Sequence, residues 1–218
     1  MYRAVFAFDF SMAKPTMCAC VDGKISFYTW PAHIDAKSEE IISTAGVNVH
    51  NRLLETVSKG EFSQHTLILE HVNRSTNLAK MILKTIDGIV KENGIDKSEV
   101  IIANEAFAFA AHGDAMLDLA GYKYILMYTL ISNGYTNNRT YSPTTIKKTA
   151  GCGKRGLGKD AMIEALANED YGIHTFIDIM KDDPLLLKKK TSYALCSDDI
   201  ADSYWCYKTT MNDLNDGK

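Results

Sequence analysis

Four carboxylates stand where solubility alone does not call for them. Asp9 follows the apolar run Val5-Phe6-Ala7-Phe8, and Glu105 closes Val100-Ile101-Ile102-Ala103-Asn104. An ionised carboxylate in an apolar strand is costly unless something compensates it. Asp199 and Asp202 lie three apart in a stretch of helical patterning, so their side chains share a face. Like charges gathered at one point repel unless a cation lies between them. Oxygen-only donors favour magnesium or manganese over zinc. Two such ions, roughly 4 Å apart, are suited to in-line attack of water on a phosphodiester. Plainer readings exist for each residue taken singly. A strand-end Asp can form a turn or pair with a lysine, and Asp199 with Asp202 can be a cap plus a solvated face. Asp198 reads as a helix cap or a spare ligand, and Glu70, after Leu67-Ile68-Leu69, competes with Glu105.

These side chains need a sheet and a closing helix to hold them. Residues 5–10 read as a central strand with apolar residues on both faces, followed by a strand over 14–21. An Asp22-Gly23 turn leads into a third strand over 25–30. Residues 31–60 are mixed, with a short helix expected near 51–58, and 65–72 carries a further apolar run. Leu78, Met81, Ile82, Ile86 and Ile89 predict a helix over 75–92, stopped by Asn93-Gly94. A buried strand over 100–105, a helix over 115–133 and a short strand at 140–141 come next. Ser142-Pro143-Thr144 opens a helix at Thr145, and a glycine-rich loop over 151–158 leads into a helix over 159–168. Ser197-Asp198 predicts the N-cap of a last helix over 199–211. Strands followed by alternating helices and strands imply a mixed sheet with helices packed on it, in one domain spanning 1–218.

Composition agrees. With 218 residues, 46% hydrophobic and 23% charged, the chain can bury a core without disulfides or a structural metal. No apolar run approaches the roughly 18–20 residues of a membrane span, so no membrane association is expected. Nothing near the N-terminus reads as a cleaved leader. Five dispersed cysteines suit free thiols in a reducing cytoplasm. The net charge of −3 is unpromising for a nucleic-acid binder, yet a phosphate backbone feels local charge. From 139 to 159 there are six basic residues (Arg139, Lys147, Lys148, Lys154, Arg155, Lys159) and no acid. That stretch is the expected phosphate-binding surface, with a solvated loop as the alternative.

Taken in order, these motifs resemble the RuvC-type Holliday junction resolvases, particularly those of bacteriophages, within the RNase H-like nuclease superfamily. Phe8-Asp9-Phe10-Ser11 resembles the family's first motif, and the helix preceding residues 100–105 gives Glu105, not Glu70, the place of its second acid. Ser142-Pro143-Thr144-Thr145-Ile146-Lys147-Lys148 is similar to its Pro-Ser/Thr-x-Leu/Val-Lys helix start. Asp199-Ile200-Ala201-Asp202-Ser203 resembles its closing Asp-x-x-Asp-Ala. The likeness spans about residues 4–210 and implies an RNase H-like mixed five-stranded sheet flanked by helices. Residues 31–68 stand out as an extended insertion. It implies catalytic, metal-holding roles for Asp9, Glu105, Asp199 and Asp202, with two Mg2+ per site and Mn2+ able to substitute. Lys147 and Lys159 match the lysines that contact DNA, although a longer loop leaves Lys154 open for the second. An aromatic that stacks on a junction base corresponds to Phe107 or Phe109. The helix over 115–133 resembles the family's dimer helix, and core packing explains its apolar surface equally well.

The implied activity is a Mg2+-dependent endodeoxyribonuclease that resolves four-way junctions as a homodimer and leaves a 5′ phosphate. Its implied location is the cytoplasm, the host's if a phage encodes it. The alternatives are a flap or Y-junction debranching nuclease and a junction-binding protein that does not cleave. An actin-like ATPase is disfavoured, because no second glycine-rich phosphate strand follows. Gly151-Cys152-Gly153-Lys154 lacks the frame of a nucleotide-binding loop. Cys18 and Cys20 are expected on opposite faces of their strand, hence a poor metal pair. His112 reads as a surface or packing residue, and Lys188-Lys189-Lys190 as a solubilising run.

Overall fold

The structure is a computed structural model that describes residues 2–11, 13–51, 64–106, 114–153, 158–169, 187–189, 192–193 and 197–217. Three strands open it: β1 (Ala4–Asp9), β2 (Thr16–Val21) and β3 (Lys24–Thr29). Asp22 and Gly23 turn β2 into β3 with φ of 46° and 83°, the left-handed pair that suits a two-residue hairpin. Arg3 pins that turn through a 2.7 Å ion pair with Asp22. Then come α1 (Ala36–Thr44), β4 (Val47–Val49), α2 (Gln64–Glu92), β5 (Val100–Glu105), α3 (Asp114–Ser132) and β6 (Asn138–Tyr141). The chain continues through α4 (Pro143–Thr149), α5 (Lys159–Ala167), a small hairpin of β7 (Leu187–Lys189) and β8 (Ser192–Tyr193), and α6 (Ser197–Asn215).

The main sheet has six strands in the order β4-β3-β2-β1-β5-β6, one more than the five expected. The extra strand comes from the 31–68 insertion: α1 carries the chain back so that β4 lies parallel to β3, pairing Phe27 with Val47. Three residues are too few for a strand period to show in a sequence. β1, β5 and β6 run parallel, with Phe8 opposite Asn104 and Glu105 opposite Tyr141.

Alternation along the strands builds two cores. Ala4, Phe6, Phe8, Val100 and Ile102 pack under α2 and α3, against Leu78, Ile82, Ile86, Leu126 and Leu130. Val5, Ala7, Ile101 and Ala103 pack under α4, α5 and α6, against Ile146, Ile163, Leu166, Tyr204 and Trp205. Cys18 and Cys20 both lie in the second core, not on opposite faces, because residues two apart in a strand point the same way. Helix α2 begins at Gln64, not 75, so the 67–69 run is helical and Ile68, Leu69 and Val72 are exposed. Helix α6 begins at Ser197 and runs to Asn215, which puts the expected Ser197-Asp198 cap inside the helix. The helix expected near 51–58 lies outside the described residues, apart from Asn51.

Candidate functional site

Asp9 is the last residue of β1 and Glu105 the last of β5. Their parallel register pairs Phe8 with Asn104, so the two acids come next, side by side at the strands' C-terminal ends. Each is two residues beyond a buried alanine, Ala7 or Ala103, and therefore shares the α6 face of the sheet. Asn104 turns to the other face, where its amide donates to the Arg139 carbonyl at 3.1 Å. Above the acids lies the first turn and a half of α6. Ile200, Ala201, Tyr204 and Trp205 anchor that helix in the core, which leaves Asp199 buried and Asp202 half-buried.

The other three carboxylates all act on Asp9. Burial holds the Asp9 carboxyl well above the usual carboxylate range, and repulsion from Asp202, Asp199 and Glu105 raises it further, as does a hydrogen bond with Asp199. Among the described residues no three histidine, cysteine, aspartate or glutamate side chains are closed around a point that could hold one ion. The acids are thus gathered around Asp9 without forming a tight cage among the described residues. The donor set itself, carboxylate oxygens with excess negative charge, is of the kind that suits a hard divalent cation.

Lys123 enters this site from the opposite layer. It lies on α3, is only 8% exposed, and its ammonium donates to the backbone carbonyl of Glu105. Burial lowers its pKa, opposed by the charges of Glu105, Cys206 and Asp9. Cys206, on α6, is fully buried beside the same acids, and burial followed by Glu105 and Asp9 pushes its thiol far up.

The basic stretch is joined to the same helix. Ser142 caps α4 by accepting from the Thr145 N–H at 3.1 Å, Pro143 occupies the first turn, and Ile146 is buried. Thr209 of α6 donates to Thr149 of α4 at 2.9 Å. Lys147 and Lys148 are both exposed on this docked helix. Gly151, at φ 71°, reverses the chain after α4, and the Cys152 N–H returns to the Lys147 carbonyl at 2.8 Å. A Cβ on Gly153 would stand 2.9 Å from Lys148 Cγ, so this return passes tight against the lysine stem.

Two solved structures share this arrangement of elements. One, the Thermus thermophilus RuvC structure, is 12% identical over 98% of this chain and 96% of that one, with a TM-score of 0.50. The second, T. thermophilus RuvC in complex with Holliday junction substrate, is 11% identical over 99% and 97%, with a TM-score of 0.52. The chain has the RuvC fold. No protein-family model matches the sequence, and neither does any curated protein.

Within the RuvC fold the expected residues divide into three groups. Asp9, Glu105, Asp199 and Asp202 are brought together, and Lys147 and Lys148 are placed on a helix packed against the one that carries two of them. Glu70 lies on α2 rather than at a strand end and pairs with Arg74 one turn on. Phe107, Phe109, His112, Lys154 and Arg155 lie outside the described residues. Lys159 is the first residue of α5, and nothing is described of its side chain. Sequence reasoning passed over Lys123. It is the one basic residue in α3, flanked by Tyr122 and Tyr124, and that isolation in an apolar helix was the available signal.

Proposed function

We propose that this chain is a Mg2+-dependent endonuclease that cuts branched DNA, with four-way junctions as its principal substrate. The observation that carries the proposal is the gathering of Asp199 and Asp202 of α6 beside Asp9, which ends β1 next to Glu105 at the end of β5. When bound, two Mg2+ ions (or Mn2+) would supply a water of lowered pKa and stabilise the leaving 3′ oxygen. The chain's own residues do the rest. Asp9 and Glu105 offer oxygens from rigid strand ends, and Asp199 and Asp202 offer oxygens from a helix locked into the core. Lys123 supplies the nearby positive charge on the protein side and ties α3 to the Glu105 backbone. Lys147 and Lys148 meet phosphates of the incoming strand, and Lys154, Arg155 and Lys159, the next basic residues in sequence, add to that contact. Phe107 is the candidate for stacking on a junction base.

A junction presents two strands for cutting, which a two-fold dimer matches with two sites. Tyr124, Tyr128 and Ile131 form an exposed stripe on α3, at 66%, 74% and 47% accessibility. Such large apolar side chains on one helix face suit burial against a second copy. T. thermophilus RuvC, which has the same fold, was solved in complex with Holliday junction substrate, which supports the substrate choice. No described helix is long and apolar enough to cross a membrane.

The deciding experiment incubates the protein with labelled four-way junction, flap and linear duplex, each with and without Mg2+. Symmetric cleavage of the junction that requires Mg2+ is expected. Preferred cutting of the flap would move the assignment to a debranching nuclease, and binding without cutting under every condition would overturn the enzymatic reading.

A further inference from the structure

The sheet face remote from the carboxylates carries a cleft of about 460 Å3 between α2 and the β3–β4 edge. One wall is aromatic. Tyr28, Trp30 and His50 lie nearly parallel, with interplanar angles of 22°, 10° and 14° and centroids 5.4–6.4 Å apart. The three rings are stacked pairwise, with Trp30 in the buried core and Tyr28 and His50 only half-buried. Among the described residues, hydrogen-bonding capacity in that wall is unused: Trp30 is fully buried, yet its indole N–H has no acceptor there, and His50 Nε2 has no partner there either. A buried donor left unmet is costly, so such groups call for an explanation.

The opposite wall contains Gly88, in the interior of the 29-residue helix α2. Glycine there is less favourable than alanine for the helix. Its φ is not in the left-handed region, and an added Cβ would meet nothing within 4 Å among the described residues. Neither backbone geometry nor close packing requires a glycine here. Its effect is to leave the cleft open. Exposed Lys84 and Glu92 stand at the rim.

We propose that this cleft binds a nucleotide, with the base laid against the half-buried Tyr28 and His50, next to the buried Trp30 indole, and the phosphate at Lys84. Half-buried rings that already stack favour a further planar ring, unused ring nitrogens favour one with polar edges, and the rim cation favours an attached anion. The volume falls within the range of small-molecule sites. The nucleotide is either free or part of a single strand. The proposal is independent of the nuclease reading, since Trp30 packs in the α2–α3 layer and the carboxylates face α6.

The test uses the full-length protein in a chelator, titrated separately with dAMP, deoxyadenosine and a short oligo-dT, and followed by the two tryptophan indole N–H resonances. The Trp205 indole donates to the Met162 carbonyl at 3.0 Å and serves as the internal reference. Saturable movement of the Trp30 signal with dAMP is expected, with deoxyadenosine weaker. Movement with oligo-dT alone would assign the cleft to a single strand, still a nucleotide site. Gly88→Leu should keep the fold and weaken binding about tenfold or more by filling the cleft. Lys84→Gln, on the exposed rim, should erase the advantage of dAMP over deoxyadenosine while leaving the nucleoside unaffected. A Trp30 signal unmoved by all three ligands at millimolar concentration would overturn the proposal. So would dAMP affinity unchanged in both variants.

Discussion

Phe8 and Asp9 are neighbours in β1, as Asn104 and Glu105 are in β5, yet each pair divides between two different environments. Toward α2 and α3 the strands present a dry face, with Phe8 at 1% exposure among Phe6, Met17 and Ile102. Toward α6 the same strands end in carboxylates that crowd Asp199 and Asp202. A one-residue step along the chain therefore exchanges a group that stabilises the fold for one that strains it. The strain is held because the surrounding core over-determines α6: Tyr204 and Cys206 are fully buried, and Trp205 is bonded to Met162. Strained polar sites of this kind concentrate where function needs them.

Neighbouring substitutions should separate the two faces cleanly. Asp9→Asn should abolish cleavage of a four-way junction, by more than about 100-fold, since even outer-shell partners of a metal site are worth 10–100-fold. Junction binding should be kept or tightened, because one negative charge facing phosphate is gone; retained cleavage would remove Asp9 from the site. Phe8→Ala should do the reverse. It should cost about 3–5 kcal/mol in urea denaturation through the cavity it leaves, while the folded fraction still cuts. If Phe8→Ala lost activity without losing stability, the division between a structural and a chemical face would fail.

The metal-free protein should show the same division in its pH dependence. The folded state holds the Asp9 proton to higher pH than the unfolded chain does. Where the folded protein binds more protons, stability falls as pH rises. Melting temperature in a chelator should therefore drop as pH climbs from near 4, the ordinary carboxylate value, through the raised folded value. Mg2+ should flatten that decline, and so should Asp9→Asn. A melting curve indifferent to Mg2+ at neutral pH would count against a cation among these carboxylates.

What could be read from the sequence follows from the period of each element. The β1 and β5 acids were legible because an acid ending an apolar strand run is conspicuous, and the i, i+3 spacing of Asp199 and Asp202 fixes a shared helix face. Strand β4 was not, since Val47-Asn48-Val49 has no period to detect and pairs only because α1 returns the chain beside β3. The first turns of α2 were obscured by Leu67-Ile68-Leu69, a run as compatible with a strand as with a helix. Lys123 was hidden by its spacing from the acids: it is 18 residues from Glu105, and only the packing of α3 over the strand end joins them. The aromatic cleft draws on β3, the segment after β4 and α2, so no local pattern announces it.

The smallest expected effect concerns the basic helix. Lys147 is exposed on α4, and α4 is tied to α6 by the Thr209–Thr149 hydrogen bond. If Lys147 neutralises a phosphate, its loss releases one fewer counterion on binding. Lys147→Ala should then reduce the salt dependence of junction binding by about one unit of log K per log salt. Cleavage of bound junction should continue, because the carboxylates are untouched. The effect should be equal across DNA sequences, since a phosphate contact positions the backbone and reads no base. Binding measured over a range of potassium concentrations checks this directly. A slope identical to the wild type would place Lys147 off the DNA and shift the contact to the loop that follows Gly153.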